Sequence, residues 1–140
     1  MNWKGIAIHY SASRYGSVEL IRKWHLARGF NDIGYHFVVL NGYLKPGLYL
    51  PSLLGEIQVG RDLAKRGAHT VGFNDTHIGI CIIGDTHIAK VLASTLKETI
   101  NELATMYPVT EVKGHNELTH DTKCPNIDMD IFRNEIGWSK

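Results

Sequence analysis

Apolar residues along the chain fall into short runs parted by polar turns, and their spacing alternates between strand-like and helix-like. Gly5 to His9 reads as a short buried strand, and Ser11 to Gly16 as a turn. Ser17 stands where a side-chain cap belongs, so a helix is expected to run to about Arg28 and stop at Gly29. Tyr35 to Leu40 is rich in aromatic and β-branched residues, and Asn41-Gly42 directly after it predicts a hairpin. Tyr43 to Leu54, which holds Pro46-Gly47 and Pro51, is longer than a turn requires and reads as an extended loop before a strand near Glu56 to Gly60. Ile78 to Ile83 is apolar on both alternating faces, which predicts a central strand covered on both sides. Leu92, Leu96, Ile100, Leu103 and Tyr107 mark one face of a helix that Pro108 ends. Glu111 to Lys113 is expected as a last short strand, and Asn126 as the cap of a terminal helix carrying Ile127, Ile131 and Phe132 before Gly137. The pattern predicts an α/β fold, a mixed central β-sheet flanked by about three α-helices.

Composition narrows this picture. A chain of 140 residues, 44% of them hydrophobic, can hold one core but hardly two, so residues 1–140 are expected to form a single domain. The formal net charge of +1 offers no surplus for phosphate-backbone binding, which argues against nucleic acid as a partner. No apolar run approaches the roughly 20 residues that span a bilayer, and the opening Met-Asn-Trp-Lys-Gly lacks a signal peptide's apolar stretch. Neither membrane insertion nor an export signal is therefore expected. Two cysteines make no disulfide framework, whereas 8 histidines exceed what a domain of this size usually carries.

Some of those histidines sit where chemistry is done. His9 ends an apolar strand at the polar segment Tyr10-Ser11-Ala12-Ser13, and strand ends over an α/β sheet are where such folds keep their sites. Taken alone, a strand-end histidine is more often structural. Gly114 to Pro125 sets His115 and Cys124 on either side of a polar loop that also holds His120 and Asp121. Imidazole nitrogen and thiolate both suit zinc, and two local ligands plus a distant third make an open site, whereas a structural site wants four. Cys81, within the central apolar strand, reads as a small core residue.

Four segments, in order and covering nearly the whole chain, carry a family likeness: Ile8-His9-Tyr10-Ser11-Ala12-Ser13; Ile21 to His25 with Asp32 to Phe37; Gly60-Arg61-Asp62 with Gly67 to Asn74 and Ile78 to Cys81; and Gly114-His115 with Cys124 to Asp128. Through them the chain resembles the zinc-dependent N-acetylmuramoyl-L-alanine amidases of the phage T7 lysozyme and peptidoglycan-recognition-protein type. The resemblance implies His9, His115 and Cys124 as zinc ligands, with the Cys-Pro-x-x-Asp context favouring Cys124 over His120 and Asp121, and Tyr35 beside the metal. It implies hydrolysis of the amide joining N-acetylmuramic acid to L-alanine in peptidoglycan, by water activated at zinc's open position. Where the T7-type enzymes carry a lysine two residues before the cysteine ligand, this chain has Thr122, with Lys123 next to Cys124. Either Thr122 or Lys123 is then expected to steady the oxyanion.

Further expectations follow. His36 should face away from Tyr35 as a packed residue, His25 should be structural, and His77 and His87 should face solvent. His69 is either a substrate contact or a loop-fixing residue. The segment from Tyr43 to Leu54 is an insertion relative to the shortest relatives, and Tyr49 there either packs its own hairpin or walls a glycan groove. The resemblance suggests a monomeric phage or prophage endolysin that stays in the host cytoplasm until release. The alternatives are a wall-recycling amidase or a sensing module on the same fold. A polymerase-regulating role is not carried over.

Overall fold

The computed structural model describes residues 1–85 and 90–139. Its centre is a five-stranded sheet in the order β5-β2-β6-β1-β7, built from β1 (Gly5–Tyr10), β2 (Phe37–Val39), β5 (Ile57–Val59), β6 (His77–Ile82) and β7 (Glu111–Gly114). β1 runs parallel to β6 and β7, β2 parallel to β6, and β5 antiparallel to β2, so the sheet is mixed as the pattern implied. The all-apolar strand is central: every residue of β6 is buried, because both of its faces are covered.

One face packs against α2 (Lys90–Met106) and α4 (Met129–Glu135), through Ile6, Ile8, Ile78, Ile80 and Ile82 against Leu92, Leu96, Ile100, Leu103 and Phe132. The other carries Val38, Cys81 and Ile83 against Val18 and Ile21 of α1 (Val18–Ala27). Ser17 caps α1 by accepting the Leu20 N–H at 3.1 Å, as expected. No helix of the described residues is long and apolar enough to cross a membrane.

Several expectations are corrected. Asn41-Gly42 is not the turn between paired neighbours. It leads into β3 (Tyr43–Lys45), which pairs antiparallel with β4 (Leu48–Tyr49) across Pro46-Gly47, so the presumed loop holds its own small sheet and a 3-10 turn at Pro51–Leu53. The main sheet's antiparallel partner, β5, follows that small sheet. The terminal helix is capped by Asp128, whose carboxylate accepts the Asp130 and Ile131 N–H groups, while Asn126 takes a left-handed conformation in the preceding loop. Of the three apolar residues expected on this helix, Phe132 is buried, Ile127 packs on the core just before the helix begins, and Ile131 is exposed. A short helix, α3 (His115–Leu118), had no signal in the periodicity because four residues cannot show one.

His77 is buried, not solvent-facing. Its ring lies 2.8 Å from the Thr76 hydroxyl and 3.0 Å from a Glu111 carboxylate oxygen, in space that the absence of a side chain at Gly5 leaves open. His87 lies outside the described residues.

Candidate functional site

β1 and β7 are adjacent parallel strands with Ile8 opposite Gly114, so His9 and His115, one residue further along each, arrive side by side. Their ring centroids are 4.8 Å apart. The polar loop after α3 then folds back, because the Asn116 N–H donates to the Cys124 carbonyl at 2.8 Å, and Cys124 Sγ comes to 3.7 Å from His9 Nδ1. Donor atoms of His9, His115 and Cys124 all lie within 4.8 Å of one another, a grouping that can hold a metal ion.

Donor chemistry fits a borderline-soft cation. Burial, then the neighbouring His69 and His115, keeps His9 well below the ordinary imidazole range, and burial also lowers His115. Both rings are neutral at pH 7 and offer lone pairs. Burial pushes the Cys124 thiol up to about 11, partly offset by the Tyr10 N–H that donates to it. Binding a metal therefore displaces the thiol proton.

The ring that sets His9 is His69. His69 Nε2 lies 3.0 Å from the His77 carbonyl, which can only accept, so Nε2 carries the proton. Burial lowers His69 to about 3, so the ring is neutral and its Nδ1 is a lone pair. That Nδ1 is 2.9 Å from His9 Nε2, which must then be N–H, leaving His9 Nδ1 as the free lone pair on the Cys124 side. The Thr70 hydroxyl sits beside the junction, 2.9 Å from His69 Nδ1 and 3.2 Å from His9 Nε2. Asn74 holds the turn by accepting the His69 and Thr70 N–H groups at 2.7 and 2.9 Å. Gly79 makes the arrangement possible, since a side chain in the middle of β6 would collide with the His69 ring.

Tyr35 completes the cluster, its ring 5.0 Å from His9 and 5.4 Å from His25. Burial, then the two thiols Cys81 and Cys124, raises its hydroxyl well above the usual phenol range, so it remains a donor. A hydrogen bond links the hydroxyl to Cys81, which is thus a neighbour of the site as well as core packing. His25 accepts the Gly34 N–H at 2.9 Å and His36 the Gly79 N–H at 3.0 Å, both in structural roles. Tyr35 packs against the cluster of Val18 and Ile21, whereas His36 is buried edge-on to Trp3 in the other cluster, ring centroids 4.9 Å apart, as the expected alternation requires, although both rings approach His69.

A cavity of about 390 Å³ opens beside this cluster, lined by Phe30, His69, Thr70, His115, Thr119 and Thr122 among others. The Thr122 hydroxyl accepts the Cys124 N–H at 3.1 Å, which leaves its own proton free to donate. Lys123 is exposed and does not line the cavity, nor does Tyr49, which packs against Tyr43 at a tilt with ring centroids 4.8 Å apart. Sequence reasoning missed Thr70 and Thr119. The Thr119 hydroxyl is buried without a hydrogen-bond partner among the described residues.

The N-acetylmuramoyl-L-alanine amidase family profile matches residues 1–127. The endolysin of Enterobacteria phage K11 is 27% identical over 133 residues, covering 87% of this chain and 80% of that protein. The endolysin of Escherichia phage T7 is 27% identical over 135 residues, covering 89% and 81%. The solved N-acetylmuramoyl-L-alanine amidase LysC from Clostridium intestinale superposes with a TM-score of 0.83 at 23% identity, over 99% of this chain and 88% of that one, a likeness of fold.

Proposed function

Because the chain belongs to the N-acetylmuramoyl-L-alanine amidase family, we propose that it cuts the amide between N-acetylmuramic acid and L-alanine in bacterial peptidoglycan as a zinc-dependent phage endolysin. The observation that carries this reading is the meeting of two neutral imidazoles and one thiol beside a cavity that one of them, His115, lines, with a protonated tyrosine against them. In this reading His9, His115 and Cys124 hold zinc, which when bound supplies a Lewis acid and lowers the pKa of water toward about 7.

The chain's own groups do the rest. The His77 carbonyl, through His69, holds His9 in the tautomer that presents Nδ1. The Tyr35 hydroxyl, kept protonated, donates to the oxygen that gains charge when the carbonyl becomes tetrahedral. Thr122, with its proton free and facing the cavity, donates a second hydrogen bond there, in preference to the exposed Lys123. Both donors are fixed beforehand, so they add stabilisation as charge develops without reorganising. The departing alanine amine needs a proton, which the water that attacks supplies. Every assigned residue comes from one chain, so a monomer suffices. We further propose that the protein accumulates in the host cytoplasm and reaches the wall when the membrane is opened.

Metal analysis of the purified protein, paired with product analysis of digested muropeptides before and after chelation, tests the reading. One zinc per chain and free L-alanine amino termini that disappear on chelation are expected; absence of zinc, or cleavage at a glycosidic bond, would overturn it. Thr122→Ala should lower turnover tenfold to hundredfold with zinc still bound, while Lys123→Ala stays within about twofold.

A further inference from the structure

The β3–β4 hairpin builds a second cavity, of about 690 Å³, at the C-terminal ends of β1, β2 and β6. Its walls include Ser13, Arg14 and Tyr15 from the β1–α1 loop, Asn41 and Tyr43 from the start of that hairpin, and Asp85 after β6. The two sides are pinned together: the Gly16 N–H donates to the Tyr43 carbonyl at 2.9 Å, and the Asn41 amide donates to the Arg14 carbonyl at 3.0 Å. Below them the Ser11 hydroxyl accepts the Gly84 N–H at 3.0 Å, and Ser13 Oγ lies 2.7 Å from the Tyr15 carbonyl. Ala12 between the two serines has φ 56°, a left-handed conformation that a residue with a β-carbon rarely adopts and that tends to mark binding loops.

Wall chemistry selects the ligand. Arg14 and Asp85 form an exposed ion pair at 3.5 Å, so the two charged side chains of the walls sum to zero. What remains is two tyrosine rings, since the Asn41 amide and the Ser13 hydroxyl are engaged by the Arg14 and Tyr15 carbonyls, a surface that suits an uncharged ligand with an apolar face. N-acetylated sugar rings have that character, whereas stem peptides carry carboxylates that seek an unpaired cation. The volume is within the range of small-ligand sites. Ser11 follows His9 by two strand residues, about 7 Å, so a glycan strand can reach this cavity from the metal cluster.

We propose that this cavity is a glycan subsite, gripping sugars of the same strand near the muramic acid whose amide is cut, with Tyr43 as the stacking platform and Tyr49 as its buttress. The proposal rests on the amidase reading above. To test it, a tetramer of N-acetylglucosamine, which has no lactyl group and no peptide, is titrated into the full chain and followed by backbone-amide NMR. In parallel, kcat/KM is measured on polymeric glycan-linked substrate and on a monomeric N-acetylmuramoyl peptide.

Shifts at the Asn41, Gly47 and Gly84 amides are expected. Tyr43→Ala should weaken the tetramer about fivefold and lower the polymer-to-monomer ratio of kcat/KM by a similar factor, while Tyr43→Phe, which keeps the ring, should preserve both. No shift at those amides at millimolar tetramer, shifts confined to the cavity beside His115, or an unchanged ratio in Tyr43→Ala would each overturn the proposal. Loss in Tyr43→Phe equal to that in Tyr43→Ala would overturn the stacking role. Cleavage of the monomer by the wild-type chain reports separately on the amidase reading.

Discussion

Through Nδ1, which lies 2.9 Å from His9 Nε2, His69 decides which nitrogen of His9 carries the proton. From the sequence it is a substrate contact or a loop-fixing residue; in the fold it also fixes the proton of His9 through Nδ1. His69→Ala should therefore lower zinc affinity about tenfold to hundredfold, read by chelator competition, with little change in the folded spectrum. Affinity equal to wild type would mean that His9 finds its tautomer unaided. The two cysteines divide differently. Cys124→Ser should lower zinc content and turnover together, because serine's hydroxyl is a much weaker ligand. Cys81→Ser should retain zinc but lose stability, since Cys81 is fully buried, and its bond to Tyr35 predicts a lower kcat besides. Equal zinc loss in both variants would mean that the ligand set is wrong.

At the scale of elements, the join between β7, α3 and α4 rests on one carboxylate. Glu117 accepts the Gly114 N–H at 2.9 Å and pairs with Arg133 at 2.7 and 3.0 Å, while Arg133 also donates to the Val112 carbonyl. Burial alone would raise Glu117, but the Arg133 and Gly114 hydrogen bonds outweigh it and hold the carboxyl below its ordinary value of 4.5. A depressed carboxylate contributes stability that is present above the unfolded value and is lost as pH falls through the folded one. Glu117→Gln should thus cost about 1–2 kcal/mol near pH 7, and the gap from wild type should narrow between pH 5 and 3 in denaturant titrations. A gap independent of pH would assign the loss to packing instead. The apolar face of α2 and the central place of β6 were legible because each repeats one signal over many residues, and the cap of α1 because Ser17 acts on its own first turn. The β3–β4 hairpin and α3 were not, because elements of two to four residues are too short to show a period, and the Asp128 cap was not, because Asn126 is an equally good cap by residue type.

For the whole molecule, the near-neutral charge acquires a consequence. With a net charge of +1 there is little long-range field to draw the protein to its substrate, so recognition falls to shaped cavities. The rate of wall hydrolysis should change less than about threefold between low and moderately high salt, beyond the Debye screening range of about 10 Å at 0.1 M. A steep fall with salt would reveal a bulk attraction that the charge count denies.

The alternation of strands and helices, the family and the residue types able to bind a metal can be read from the order of amino acids, since they follow from local periodicity and from side-chain chemistry that does not depend on neighbours. Which atoms meet is a matter of how the chain folds back on itself. The pairing of β1 with β7 brings His9 beside His115, the space above Gly79 admits His69, and the backbone of the β3–β4 hairpin closes on the loop after β1. Those juxtapositions come from strand register and chain return over tens of residues, and no local pattern encodes them.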